Sequence, residues 1–345
     1  MSSLLPTAAR RPPALRRSGT ECTEEESGVW RRMEAALQTL HLYGAAGIAA
    51  FGWAMCRLIG CASAPWLPLW LAAALLFYNV DRLRRDPADC LNTPRREAAA
   101  RRLRRWSKLL AAMAAVTLLA LPLARRDVVS LVCILSGAAV CLNYSLPVWG
   151  FRLKDVPLLK TFFAPTLVIA AVFGLPLLHE PARFGPVVVV MILWAWGLLF
   201  GNMILCDLRD VVGDRSCGVL SLPAYLGEAR AWRVLWVLVY STCGLGLLLA
   251  ILPPKRAWLW FSLAVGNSAF LGGLVLAARR FRSERFYEWW VEGILFVPAA
   301  VLALAGLWPA QQTRTTVFEQ ASDYASPYAN TLSDAGVQRC CSRPL

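Results

Sequence analysis

The chain has 345 residues, enough for two soluble domains, yet only 36 basic and 22 acidic side chains interrupt a sequence that is 57% hydrophobic. A mean hydropathy of +0.49 excludes an ordinary soluble globular protein. The net charge of +14 would suit nucleic acid, but the basic residues stand between apolar runs and in no folded soluble domain. Nucleic acid is therefore excluded as a partner, and the lipid bilayer takes its place.

The first 33 residues are rich in Arg, Pro, Ser and Glu, and the apolar sequence begins only near residue 36, too late and too oddly flanked for a cleaved signal peptide. Residues 1–37 are read as a disordered basic cytoplasmic tail. Apolar runs near bilayer length follow at 38–59, 65–81, 108–124, 128–147, 157–178, 184–206, 231–252, 257–278 and 289–308. They predict an all-α membrane protein with nine transmembrane helices over residues 38–308. The second run is the shortest and leads straight into Asp81. Residues 309–345 are polar again and read as a second disordered tail.

Orientation follows from the Lys/Arg distribution. Segments after the even-numbered runs carry twenty-one such residues, against five after runs 3, 5 and 7. The N-terminus is thus expected in the cytoplasm, with the even-numbered loops beside it. No transit-peptide composition is evident, so a bacterial inner membrane is expected over an organelle membrane. The eleven cysteines show no metal-ligand spacing, and those within the spans read as small hydrophobes. His41 and His179 stand alone and read as packing residues.

The segment after run 6 is the sharpest. Asp207, Asp210 and Asp214 are three and four residues apart, so on a helix extending from that run they share one side. Three carboxylates on one face repel unless a cation lies among them. Hard oxygens at this density suit Mg²⁺, which binds through a few carboxylates plus substrate phosphates. The competing reading is a solvated acidic helix end balanced by Arg209 and Arg215.

The order Asp207-x-x-Asp210-x-x-Gly213-Asp214-Arg-x-x-Gly218-x-x-Ser-Leu-Pro223-x-x-Leu-Gly227 closely resembles the second aspartate motif of the UbiA superfamily of intramembrane prenyltransferases. The resemblance implies a UbiA-like helical bundle with a cytoplasmic cap.

The family's first motif, Asn-Asp-x-x-Asp-x-x-x-Asp, is expected at the end of run 2. Here the chain reads Phe77-Tyr78-Asn79-Val80-Asp81-Arg82, then Asp86, Asp89 and Thr93-Pro94-Arg95-Arg96. Aligned on Asp81-Arg82, Phe77 and Tyr78 stand where Asn-Asp is expected. Either Asn79, Asp86 or Asp89 supplies the missing ligands, or one metal site is lost; Asn79 reads equally as a polar cap at the helix end. Residues 95–108 form a basic stretch that reads as an interfacial helix facing anionic headgroups.

After run 4, Asn143-Tyr144-Ser145-Leu146-Pro147 with Arg152, Lys154 and Lys160 resembles the family's Tyr-Ser/Thr-x-Pro loop. Within run 9, Glu292 is either a functional carboxylate at membrane depth or an interfacial one. Trp194 and Trp196 either line an apolar tunnel or pack against lipid.

What the resemblance implies is an Mg²⁺-dependent prenyltransferase. It would carry an isoprenyl group from a prenyl diphosphate to an aromatic or other lipid-soluble acceptor and release diphosphate. Asp81, Asp207, Asp210 and Asp214 would hold the metal. Asp81, Asp207, Asp210 and Lys154 are the catalytic candidates, and Arg95, Arg152, Lys160, Arg209 and Tyr144 would bind diphosphate. The alternative is a non-catalytic isoprenoid-binding protein on the same fold. A transporter is disfavoured, since no inverted repeat or pair of broken helices is visible.

Overall fold

A computed structural model describes residues 29–83, 87–148, 150–252 and 257–305. Helix α1 spans Val29–Thr39, α2 Leu42–Ile59, α3 Leu67–Leu83 and α4 Pro87–Asn92. Then come α5 (Pro94–Ala124), α6 (Val128–Ser145), α7 (Leu159–His179), α8 (Pro186–Ser216) and the short α9 (Leu222–Leu226). Helices α10 (Glu228–Ile251), α11 (Ala257–Ala278) and α12 (Glu284–Leu304) complete the bundle. No strand occurs among the described residues.

Eight of these helices are long and apolar enough to cross a membrane. The second expected span corresponds to α3, which at 17 residues is shorter than the other eight. The protein is an all-helical, multi-pass integral membrane protein. The proposed tail of residues 1–37 needs correcting, because α1 begins at Val29 and packs on α2 and α5. Residues 1–28, and the expected C-terminal tail of residues 309–345, lie outside the described residues.

Two helices of 31 residues shape the site. At 1.5 Å per residue each is about 46 Å long, whereas the hydrocarbon core is about 30 Å thick. Some ten residues of each must therefore stand outside lipid. In α8 the polar excess is the Asp207–Ser216 end, and in α5 it is the Arg-rich N-terminal end. Both lie on one side of the bundle, because α4, just before α5, packs along α8. The basic stretch 95–108 is thus continuous with the third span and not a separate helix.

Two spanning helices are irregular, each beside a proline that cannot donate a backbone hydrogen bond. In α7, Pro165 precedes a π turn at Ala170–Gly174. The Ala171 carbonyl there accepts from Trp70 Nε1 at 3.0 Å, which ties α7 to α3. In α12, a π turn at Tyr287–Val291 runs into a 3₁₀ turn at Glu292–Phe296, just ahead of Pro298. The core fills the middle with Phe51, Met55, Trp70, Phe173, Met191, Trp194 and Leu235, each 2% exposed or less. Apolar side chains such as Leu119, Val132, Val237 and Ile251 face outward, as a lipid-facing surface requires.

Candidate functional site

The polar end of α8 carries Asp207, Asp210 and Asp214 in one continuous helix, and each meets a different partner. Asp207 is fully buried and Asp214 is 1% exposed. Lys160, at the start of α7, places its ammonium 2.7 Å from both carboxylate oxygens of Asp214 and 3.7 Å from Oδ1 of Asp207. Thr161 Oγ1 donates to Oδ2 of Asp207 and accepts from the Leu222 amide at 2.9 Å, so one hydroxyl links α7, α8 and α9. Asp210 takes a two-point grip from Arg209, with Nε at 2.7 Å and Nη2 at 2.9 Å. Charged pairs this close are strong because little water competes.

The motif's small residues explain how the chain reaches this shape. Gly218 (φ +74°) and Gly227 (φ +82°) end α8 and α9 in the left-handed region that a side chain resists. Gly213 has a different reason. A Cβ there would collide with Asn92, whose Oδ1 accepts the Gly213 amide at 2.9 Å. Asn92 thus fastens α4 onto α8. Leu158, also left-handed at φ +67°, donates its amide to the Leu220 carbonyl at 2.7 Å and fixes the start of α7 beside the acidic helix.

Asp81 comes from the end of α3 and accepts a hydrogen bond from Ser145 Oγ at 2.7 Å. Tyr144 is buried between the two sides: the charges around it are Lys160, Asp81, Asp207 and Asp214. Its ring stacks on Phe163 at 4.3 Å and lies 5.8 Å from Phe77. Phe77 and Tyr78 belong to the wall of an apolar cavity of about 660 Å³ between α3, α5, α6 and α7, with Trp70, Leu118, Cys141 and Leu175. Tyr144 therefore links the buried Asp207 and Asp214 to Phe77 in the wall of that cavity. Trp194 and Trp196 do not line it. Trp194 packs on Trp260, and Trp196 stacks on Phe200 and donates to Thr166.

Of the other expected residues, Lys160 bonds a carboxylate directly and Tyr144 lies near them. Arg152 pairs with Asp155 at 2.6 Å, and Lys154 sits beside it on a short 3₁₀ turn. Lys160 reaches the acidic pair. Arg95 is exposed, and its neighbour Arg96 is the buried one. Asn79 donates to the Leu40 and Leu75 carbonyls, which ties α3 to the turn before α2. Asp89 pairs with Arg82 at 3.2 Å, and Asp86 lies outside the described residues. Thr161, Asn92 and Arg96 were not expected. Thr161 had a signal in its place beside Lys160, but Asn92 and Arg96 are recognised only by what they touch.

The histidines are not lone packing residues. His41 lies against Arg96, and His179 Nε2 is 3.0 Å from Asp127.

An all-helical membrane bundle with buried carboxylates at one end and an apolar cavity among its helices is the class of protein seen here. A sequence model of the UbiA prenyltransferase family matches residues 78–291, more than half of the chain, and the protein belongs to that family. Two solved structures share its fold. A UbiA homolog from Aeropyrum pernix K1, in its apo form, superposes with a TM-score of 0.58 at 15% identity, covering 76% of this chain and 98% of that one. A UbiA homolog from Archaeoglobus fulgidus, bound to GPP and Mg²⁺, gives 0.53 at 14% identity over 78% and 99% of the two chains. Among curated proteins none matches this sequence.

Proposed function

We propose that this protein is an intramembrane prenyltransferase that ionises a prenyl diphosphate and delivers the isoprenyl group to an aromatic or other lipid-soluble acceptor. The observation that carries the reading is the junction at Tyr144: carboxylates and Lys160 on one side, the apolar cavity on the other. Such a molecule has those two halves.

Mg²⁺ fits the donor set. Oδ1 of Asp207 is buried and accepts no hydrogen bond, with the Lys160 ammonium 3.7 Å away. Among the described residues no three His, Cys, Asp or Glu side chains converge as a complete cage. Mg²⁺ does not need one, since one or two carboxylates plus substrate phosphates hold it. The point between Asp207 and Asp214 already favours a cation, for Lys160 occupies it. Asp207, Asp210 and Asp214, with Asp81 opposite, would hold the ion. It would neutralise charge on the departing diphosphate.

The chain's own groups do the rest. Lys160 can turn toward phosphate oxygens, with Arg209 holding Asp210 in place beside them and Arg152, Lys154 and Arg95 around the rim. Phe77, Tyr78 and Tyr144 present aromatic faces to a developing allylic cation. The apolar cavity holds the chain and excludes water that would capture the cation. The positive-inside distribution supports a cytoplasmic location for this end, and a bacterial inner membrane is the setting we favour.

The test is diphosphate release from prenyl diphosphates of increasing length in proteoliposomes with Mg²⁺, comparing wild type with Asp210→Asn. Release that the variant loses supports an ionising enzyme. Retention of the prenyl diphosphate without release overturns it in favour of a non-catalytic isoprenoid-binding protein, the reading that Phe77 and Tyr78 favour by standing where the family places Asn-Asp.

A further inference from the structure

Behind Tyr78 lies a second polar cluster that the diphosphate reading does not use. The Tyr78 ring stacks on His41 at 4.6 Å and 10°. Nη2 of Arg96 is 2.8 Å from His41 Nδ1 and 3.1 Å from its Nε2. Arg96 Nη1 is 3.9 Å from Glu292, and its Nε is 4.0 Å from Glu288. Arginine only donates, so a lone pair of the His41 ring faces it.

Several features mark this as more than a staple between helices. Glu292 stands where α12 passes from its π turn into its 3₁₀ turn, an irregularity that recurs at functional sites. Its carboxylate fits against Gly44 of α2, where a Cβ would press on Oε2 at 3.2 Å. His41 holds a left-handed backbone at φ 56°, a strained conformation for a non-glycine residue. Arg96 is 6% exposed, and its Nε has no hydrogen-bond partner. Glu292 itself keeps 23% side-chain exposure and is not sealed in the core. The cluster also adjoins the diphosphate end, since Arg209 lies 5.2 Å over the Tyr287 ring of α12.

We infer that this cluster is the acceptor's polar subsite and that Glu292 takes the acceptor's proton; the inference rests on the prenyltransferase reading. The C1–O bond of the prenyl diphosphate breaks and its electron pair leaves with diphosphate. The acceptor's oxygen or ring carbon bonds to C1, and the proton it sheds passes to the Glu292 carboxylate.

Charge sets the acceptor class. Glu288 and Glu292 outnumber Arg96, while Arg209 is already held by Asp210 and Arg82 by Asp89. A further carboxylate would be repelled. The subsite fits a neutral, hydrogen-bond-donating acceptor such as a phenol or hydroquinone, and rejects an aromatic acid. The charged and titratable groups facing Glu292 are Arg96 of α5, Arg82 and Tyr78 of α3, Tyr43 of α2, Arg209 and Cys206 of α8, and Glu288 of its own helix.

The experiment uses the full chain in proteoliposomes with Mg²⁺ and geranyl diphosphate, offering hydroquinone or 4-hydroxybenzoate. Wild type is expected to prenylate hydroquinone in preference. Glu292→Gln should retain geranyl diphosphate with unchanged KM and lose about 10²–10⁴ in kcat, the usual worth of a positioned base. The acidic limb of the pH–rate profile should vanish with it. Glu292→Asp should recover part of the rate and restore the limb. Wild-type kcat in Glu292→Gln, or preference for 4-hydroxybenzoate, overturns the inference while leaving prenyl transfer standing. Failure of wild type to bind geranyl diphosphate overturns both.

Discussion

Two segments at the same end of the bundle have been built in opposite ways. At the end of α8, each carboxylate meets a cation or hydroxyl: Lys160 at Asp214, Thr161 at Asp207, Arg209 at Asp210. Lys160 and Thr161 both come from α7, so this side is assembled across helices. At the end of α3, Asp81 has the Ser145 hydroxyl, and the two residues where further ligands are expected are aromatic members of the cavity wall. One segment is a compensated charge site, and the other has become hydrocarbon lining with a single acidic tip. On the proposed function, the grip on a diphosphate would accordingly be concentrated on the α7–α8 side.

The most damaging change to that asymmetry is Lys160→Met. It leaves Asp207 and Asp214 buried without their shared cation, and breaking a buried ion pair by removing one partner costs about 3–5 kcal/mol. A lowered unfolding midpoint in detergent checks this, and Asp214→Asn in the same chain should restore part of the loss. A Lys160→Met protein as stable as wild type would mean the α8 site is not held together electrostatically.

A pair of matched substitutions sharpens the contrast in activity. Asp207→Asn removes the buried charge whose Oδ1 accepts no hydrogen bond, and diphosphate release should fall by about 10²–10³, comparable to losing one preorganised electrostatic group. Asp81→Asn should cost about tenfold, on the scale of a single hydrogen bond to a charged group. Equal losses at the two positions would show that the α3 side still carries half the work.

How much of this was legible before the structure follows the same division. The α8 triad could be read because its spacing is local: 3.6 residues per turn puts Asp207, Asp210 and Asp214 on one side whatever the rest of the chain does. The all-helical bundle was equally readable from apolar run lengths. Lys160 appeared only as one basic residue among several, since nothing near it in sequence says that α7 delivers it to α8. The first segment misled in a different way. Asn79 looks like a ligand in sequence but is taken up by the Leu40 and Leu75 carbonyls, and Arg96 outranks Arg95 only because of which side of α5 turns inward. His41 and His179 each looked solitary because their partners, Arg96 and Asp127, are 55 and 52 residues away.

Asp127 gives the smallest effect and a calibration for the others, because it lies at the opposite end of α6 from Ser145. That is about 27 Å for an 18-residue helix at 1.5 Å per residue. It caps α6 by accepting from the Ser130 amide at 2.9 Å and meets His179 at 3.0 Å. Partial burial pushes its carboxyl up, but the Ser130 bonds and His179 outweigh that and hold it below the usual carboxylate range. A depressed folded-state pKa stabilises the protein above the unfolded value of about 4, and that contribution is lost as pH falls through the folded value. Asp127→Ala should therefore cost about 1 kcal/mol near neutral pH, the worth of a helix cap. Wild type and variant should converge in stability below pH about 4, while diphosphate release at neutral pH stays at the wild-type rate. A structural carboxylate behaves this way on this scaffold, so a loss of turnover at Asp207 or Asp210 that far exceeds the loss of stability cannot be put down to the removal of a buried acid alone.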